Sequence, residues 1–405
     1  MSDRPGRGAA VVRTEGRSLS ADGSQGPSTP AGAAARPTAD RPAAHLAGAL
    51  ADTARDLYPG SFALVMATGI VSIASHLVGL GAIAWALLAL NVVVYLGLLL
   101  LFVLRLRLDL ARLCADLADR ARGPGFFTLV AGTCVLGTQS LVVAASPPIA
   151  VGLAMLGLGL WLGLSYAFFT AVAIRRRKPS LERGLNGSWL LAVVSTQAAG
   201  VLGAVLAPEL PATEPLLLVA LALYLLGCLL YVALLPLVVY RLTFVRLTPA
   251  ELTPDYWITM GAAAITTLAG ATLVSSSSRW SFLADLLPFL MGFTLLFWAA
   301  ATWWIPLLIA LEVWRARSGR HLRLASGPEA WARVFPLGMY ATATLELARV
   351  TGLSVLQPVG QGMAYVALLA WLLTGASLLR PRVFEESGFA GPWPSAEPRP
   401  RERQP

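Results

Sequence analysis

The chain has 405 residues, 56% of them apolar and 13% charged, with a formal net charge of +9 and three cysteines. That apolar share excludes an ordinary soluble domain. It also excludes nucleic acid as the partner behind the positive charge, because the arginines sit in short segments beside apolar runs, where anionic lipid is the nearest counter-charge.

Residues 1–57 are rich in Ala, Pro, Gly, Ser and Arg and carry no apolar core of the kind a signal peptide needs, so they read as a disordered cytoplasmic tail. Ten apolar runs follow, and about 20 apolar residues in a helix cross the roughly 30 Å hydrocarbon layer. The first five are Tyr58–Leu80, Ala82–Leu104, Phe126–Ala145, Ile149–Ile174 and Ser188–Ala207. The other five are Pro215–Tyr240, Trp257–Ser275, Leu286–Leu311, Trp331–Leu353 and Gly360–Leu379. Residues 381–405 return to the character of the first segment, which leaves 58–380 as a ten-helix transmembrane domain between two disordered tails.

The connections alternate in length and charge. Those on one side are as short as Gly81, Pro147-Pro148 and Pro208–Glu214, whereas those on the other carry Arg105 to Arg122, the run Arg175, Arg176, Arg177, Lys178 and Arg183, then Arg241 with Arg246, and Arg315 to Arg333. The positive-inside rule therefore predicts both termini in the cytoplasm of a multi-pass protein of the cytoplasmic (inner) membrane. Within Arg105–Arg122, Leu106, Leu110, Leu113 and Leu117 recur at helical spacing, and Arg105/Asp109 and Asp116/Arg120 are four apart, which predicts an amphipathic helix at the interface. Cys114, Cys134 and Cys228 form no CxxC pair, so neither a disulfide framework, a metal site nor a cofactor is implied.

Polar residues concentrate in the odd-numbered runs. Thr68, Thr133, Ser195, Thr266 and Thr342 mark them at intervals of 65, 62, 71 and 76 residues, so the repeating unit is a helical hairpin used five times. Hydroxyl and amide groups are tolerated inside a bilayer when they face neighbouring helices or water. Five polar helices packed side by side within five apolar ones are then expected to enclose a path lined by Thr68, Thr133, Thr138, Gln139, Ser195, Gln197, Thr266, Thr342 and Thr344. The competing reading is that small and hydroxylated residues simply let helices pack closely. Pro336 removes a backbone donor and is expected to kink the ninth run. Trp298, Trp303 and Trp304 read as packing and lipid contacts.

Three segments, PGSFALVMATGIVSIA from Pro59, PDYWITMGAAAITTLAGATL from Pro254 and WARVFPLGMYATATLELA from Trp331, resemble the tellurite-resistance/dicarboxylate transporter family. That family includes a bacterial tellurite-resistance protein, yeast malate and sulfite transporters and the slow-type anion channels of plant guard cells. The resemblance implies a homotrimer with one pore per protomer, each lined by the odd-numbered helices of a pseudo-fivefold ring. It also implies a phenylalanine on the ninth helix that blocks the pore near mid-membrane, and the Phe-Pro step places it at Phe335.

Glu346 and Arg349 lie three residues apart near the outer end of the ninth run, either as a local ion pair or as charges at the outer mouth. The chain lacks HExxH, a Walker loop and GxSxG, so an enzyme or ATP-driven pump is not expected. The functional expectation is ion-gradient-driven transport of small anions, C4-dicarboxylates such as malate or inorganic anions. Efflux of tellurite or sulfite and a non-transporting membrane sensor or scaffold are the alternatives.

Overall fold

The computed structural model describes residues 41–175, 186–318 and 328–379, and the chain divides into the units Met1–Leu46 and Ala47–Pro405, the second holding every contact discussed below. Most of both tails and the basic residues Arg176 to Arg183, Arg320 and Arg323 lie outside the described residues. Arg41–Arg55 is a helix (α1), where the composition predicts an unstructured tail. Its alanines favour the helix and Ala54 is buried, which anchors the end of it.

No strand occurs among the described residues. Helix is what a membrane dictates, since every backbone donor and acceptor is then paired within its own segment. The hairpins are α2 (Ala63–Leu77) with α3 (Gly81–Leu108), α5 (Phe127–Val142) with α6 (Pro147–Ile174) and α7 (Leu191–Leu206) with α8 (Thr213–Phe244). They continue with α9 (Ile258–Ser275) and α11 (Leu287–Arg317), then α12 (Trp331–Thr351) and α13 (Gln357–Leu379); α4 (Leu110–Leu117) and α10 (Ser281–Asp285) are short. Helix α12 stops at Gly352, whose φ of 71° is left-handed and open to glycine at no steric cost.

Among the described residues nine helical segments are long and apolar enough to cross a bilayer. Helix α12 is not one of them, although its 21 residues suffice in length, because it carries Arg333, Glu346 and Arg349. Its middle is enclosed, with Val334, Phe335, Met339, Tyr340 and Ala343 all buried, while Arg333 pairs with Glu312 and Arg349 with Glu346. The same division holds for the other helices. In the 18-residue apolar stretch of Pro254–Ser275 94% of the residues are buried, whereas in that of Pro147–Ile174 11% are, and Met155, Tyr166 and Ile174 point outward. Polar helices are therefore inside and greasy ones face lipid.

Each inner helix packs on the next in the order α2, α5, α7, α9, α12, and α12 returns to α2. Each outer helix lies against its hairpin partner and also touches the next inner helix. Close approaches depend on missing side chains: a Cβ on Gly261 would stand 2.9 Å from Pro336 Cγ, and one on Gly338 would stand 2.9 Å from Ile70 Cγ2.

Where α3 and α8 end, a buried arginine ties the outer helix to the following loop. Arg105 donates to the Leu57 carbonyl at 2.9 Å and pairs with Asp116, which Arg122 Nε also reaches at 3.1 Å. The expected Arg105/Asp109 and Asp116/Arg120 pairs are replaced by these contacts, because the chain leaves the helix at Asp109, where φ is −151°. The Asp109 carboxylate caps α4 by accepting from the Arg112 amide. Of the leucines expected on one face, Leu113 is buried whereas Leu106 and Leu110 are exposed. Arg241 reaches Glu251 at 3.7 Å, and the Thr248 amide, hydrogen-bonded to the same carboxylate at 2.9 Å, holds Glu251 below the usual carboxylate range.

A Cβ on Gly187 would run into the Asp255 carbonyl and come within 2.8 Å of Tyr256 Cα, both backbone, whereas one on Gly152 meets nothing within 4 Å. Gly187→Ala is expected to cost about 1–3 kcal/mol and to lower the melting temperature in detergent. Gly152→Ala is expected to leave it unchanged or slightly raised.

Candidate functional site

All five inner helices open on a tight 3-10 turn that begins with a helix breaker and leads into an aromatic residue. The turns are Pro59–Phe62, Gly123–Phe126, Gly187–Leu190, Pro254–Trp257 and Pro328–Ala330, the last followed by Trp331. Each turn touches the next and the fifth touches the first. One residue from each turn, Gly60, Gly125, Ser188, Asp255 and Glu329, lines a cavity of about 30 Å³ together with Tyr58, Met66, Thr128 and Phe335. Five helix N-termini converge there, and the partial positive charge of their dipoles meets the Asp255 and Glu329 carboxylates.

A second cavity, of about 250 Å³, lies toward the other end of the same five helices. Its wall takes Ile70 and Ile73 from α2, Val135 and Thr138 from α5, Ala198 and Val201 from α7, Ile265, Leu268 and Thr272 from α9, and Met339 and Thr342 from α12. Ser275, Ser276, Glu346 and Arg349 close its far end. Met66 and Ile70 on α2, like Phe335 and Met339 on α12, are one helical turn apart and belong to the smaller and the larger cavity respectively. Phe335 is fully buried at that step. Pro336 beside it sits inside a helix that runs on unbroken, leaving the Ala332 carbonyl without its usual amide partner.

Of the residues expected to line a path, Thr138 and Thr342 border the larger cavity. Most of the others face the outer helices. Thr68 accepts from Trp371 Nε1 at 3.0 Å, Thr133 pairs with the Tyr95 hydroxyl at 3.0 Å, and Thr344 accepts from Trp298 Nε1 at 3.1 Å. Gln139 accepts from Asn91 at 2.8 Å, and Gln197 donates to the Tyr224 carbonyl at 3.1 Å. Ser195 and Thr266 return their hydroxyls to their own helix, on Ala192 and Ala262. The hydroxyl-rich wall expected from the sequence is thus a mainly apolar one. Its polar residues join helices, because an unpaired hydroxyl beside lipid costs more than a paired one.

These bonds repeat. In every hairpin an aromatic side chain of the outer helix reaches the next inner helix: Tyr95 to Thr133, Trp161 to Thr196 at 2.9 Å, Tyr231 to the Thr259 carbonyl at 3.4 Å, Trp298 to Thr344 and Trp371 to Thr68. Sequence reasoning missed this lacing and missed Asp255 and Glu329. The signal for the latter was present, as a breaker followed by a tryptophan or phenylalanine ahead of each polar helix.

Residues 56–379, from the end of α1 to the end of α13, match the family of voltage-dependent anion channels. The chain belongs to that family. This is the grouping that the three quoted segments resemble, and it agrees with a multi-pass, all-helical membrane fold. An uncharacterised membrane protein of Mycobacterium tuberculosis is 38% identical over 37% of this chain and 75% of its own length. An uncharacterised transporter of Methanocaldococcus jannaschii is 23% identical over 77% of this chain and 91% of its own. A sulfite efflux pump of Arthroderma otae is 24% identical over 79% of this chain and 89% of its own.

The two classes of threonine separate experimentally. Thr133→Val and Thr344→Val each remove an interhelical bond and are expected to cost about 1 kcal/mol of stability. Thr138→Val and Thr342→Val, whose hydroxyls bond to their own helix at Cys134 and Gly338 and to no other partner among the described residues, are expected to leave the melting temperature within a degree or so of wild type.

Proposed function

We propose that this protein conducts small anions along the axis of its five inner helices, in a pseudo-fivefold ring that functions as one pore per protomer of a homotrimer. The observation that carries the reading is the pair of cavities in line, each bounded by all five inner helices. The helix starts at the smaller cavity set partial positive charge against Asp255 and Glu329, and Arg349 supplies a cation at the far end of the larger one. The arginines at the ends of α3, α6, α8 and α11 orient the smaller cavity toward the cytoplasm of the inner membrane, with both termini on that side.

Phe335 acts as the plug in this reading, standing at the step between the cavities. The wall beyond it is mostly Ile, Val, Ala and Leu, and an apolar wall returns little of an ion's hydration energy. Anions that shed water cheaply, such as nitrate, are thereby favoured over dianions such as malate, and ion gradients supply the driving force. Hydrogen sulfite is the second candidate, because the relative in Arthroderma otae is named a sulfite efflux pump.

Proteoliposomes loaded with a panel of chloride, nitrate, malate and sulfite test the proposal directly. Phe335→Ala is expected to raise nitrate flux at least about tenfold, the scale set by removing about 1.4 kcal/mol of barrier. Equal flux in wild type and variant would remove the plug, and a protein that passes none of the four anions would remove the pore.

A further inference from the structure

Phe335, Met339, Thr342, Glu346 and Arg349 follow one another on α12 at intervals of four, three, four and three, which places them on one helical face. All five border a cavity, so the order of meeting is fixed. An anion coming from the outer end reaches Arg349 first and a carboxylate, Glu346, one turn deeper. A bare negative charge at that depth would oppose the passage of any anion, and a bare guanidinium beside it would hold one too long to conduct. Neither charge is bare. Arg349 Nε donates to Glu346 Oε2 at 2.9 Å, and Nη2 donates to the other carboxylate oxygen and to Ser275 Oγ of α9, the latter at 2.7 Å.

The geometry of the clamp is uneven in a useful way. The Arg349 side chain is 61% exposed and Glu346 is 14% exposed, and the carboxylate covers the Nε–Nη2 edge of the guanidinium. Nη1 makes no hydrogen bond among the described residues. Ser275 holds the guanidinium from a different helix, so the cation keeps its place when the carboxylate moves aside. Glu346 itself has only Arg349 as a hydrogen-bond partner among the described residues.

We infer that Arg349 is the docking point for anions at the outer end of the larger cavity and that Glu346 is its tethered competitor. An arriving anion takes first the free Nη1 edge and then the Nε–Nη2 edge that two oxygens of a carboxylate occupy at rest. The ligand class is a small anion that can accept from a planar fork of donors, such as nitrate or hydrogen sulfite. The pair thereby weakens the hold of Arg349 on its anion to a level compatible with release into the cavity. This inference rests on the anion-path reading above and assigns the step that sets its apparent affinity.

The full-length protein in proteoliposomes, with nitrate flux measured against nitrate concentration, provides the test. Glu346→Gln is expected to lower the half-saturating concentration about two- to fivefold, the range that exposed ion pairs give. Arg349→Gln is expected to raise it, and the double variant Glu346→Gln/Arg349→Gln to fall between the two. An ion pair that only anchors the helix predicts shifts of the same sign in both single variants, or none, and either result overturns the inference. Nitrate-dependent thermal shifts of the same four proteins in detergent read binding without flux. The same ordering there, with no flux in wild type, would sink the transport reading and keep the competition; a lost ordering beside normal flux would do the reverse.

Discussion

Hydrocarbon does not accept an unpaired hydrogen-bonding group, and the rest of the structure follows from how this chain meets that demand. Backbone groups are met by helix. Side chains are met by the five aromatic donors that each outer helix extends to the inner helix of the following hairpin, from Tyr95 on Thr133 round to Trp371 on Thr68. Because the donor and acceptor belong to successive hairpins, each bond closes a seam that apolar contact alone closes weakly in lipid, where helices gain no hydrophobic driving force from meeting. The last seam joins residues 303 positions apart, so the N-terminal and C-terminal hairpins are held together like any other neighbours.

Using these hydroxyls as seams leaves fewer of them for the axis. The larger cavity is consequently walled by Ile70, Val135, Val201, Ile265 and Met339, with Thr138 and Thr342 as its interior hydroxyls among the residues named in the sequence analysis. Fold and path therefore draw on one limited set of polar groups. A residue that stabilises the ring in this way cannot also solvate an ion, and the electrostatic work along the axis moves to its ends. At one end stand five helix starts, at the other Arg349 with Glu346 and Ser275.

The sequence disclosed the membrane fold, the hairpin unit and the division into inner and outer helices, because each is a property of composition summed over 20 residues or more. Which face of an inner helix carries a given threonine is a different kind of information. These helices are apolar or weakly polar all round and buried on every side, so period 3.6 has no contrast between core and solvent to report. Ser195, Gln197 and Thr344 accordingly looked like lining. The acids at the smaller cavity were hidden for another reason. Asp255 and Glu329 precede the apolar runs and read as loop residues, whereas the 3-10 turns fold them back over the helix ends.

The two mouths differ in how their charges are arranged, and that difference bears on direction. At the smaller cavity the helix-start dipoles are fixed backbone groups, which cannot rearrange, and Asp255 and Glu329 stand among them at the starts of α9 and α12. At the larger cavity both charges ride on side chains of one helix and can part. A path with a rigid, partly neutralised mouth on one side and a separable ion pair on the other is electrically asymmetric, so equal concentrations on the two sides do not present equal entry barriers. On the proposed orientation the separable pair faces outward. The outer mouth is then the one at which anion entry and side-chain movement are coupled, and the inner mouth acts as a passive filter in front of Phe335.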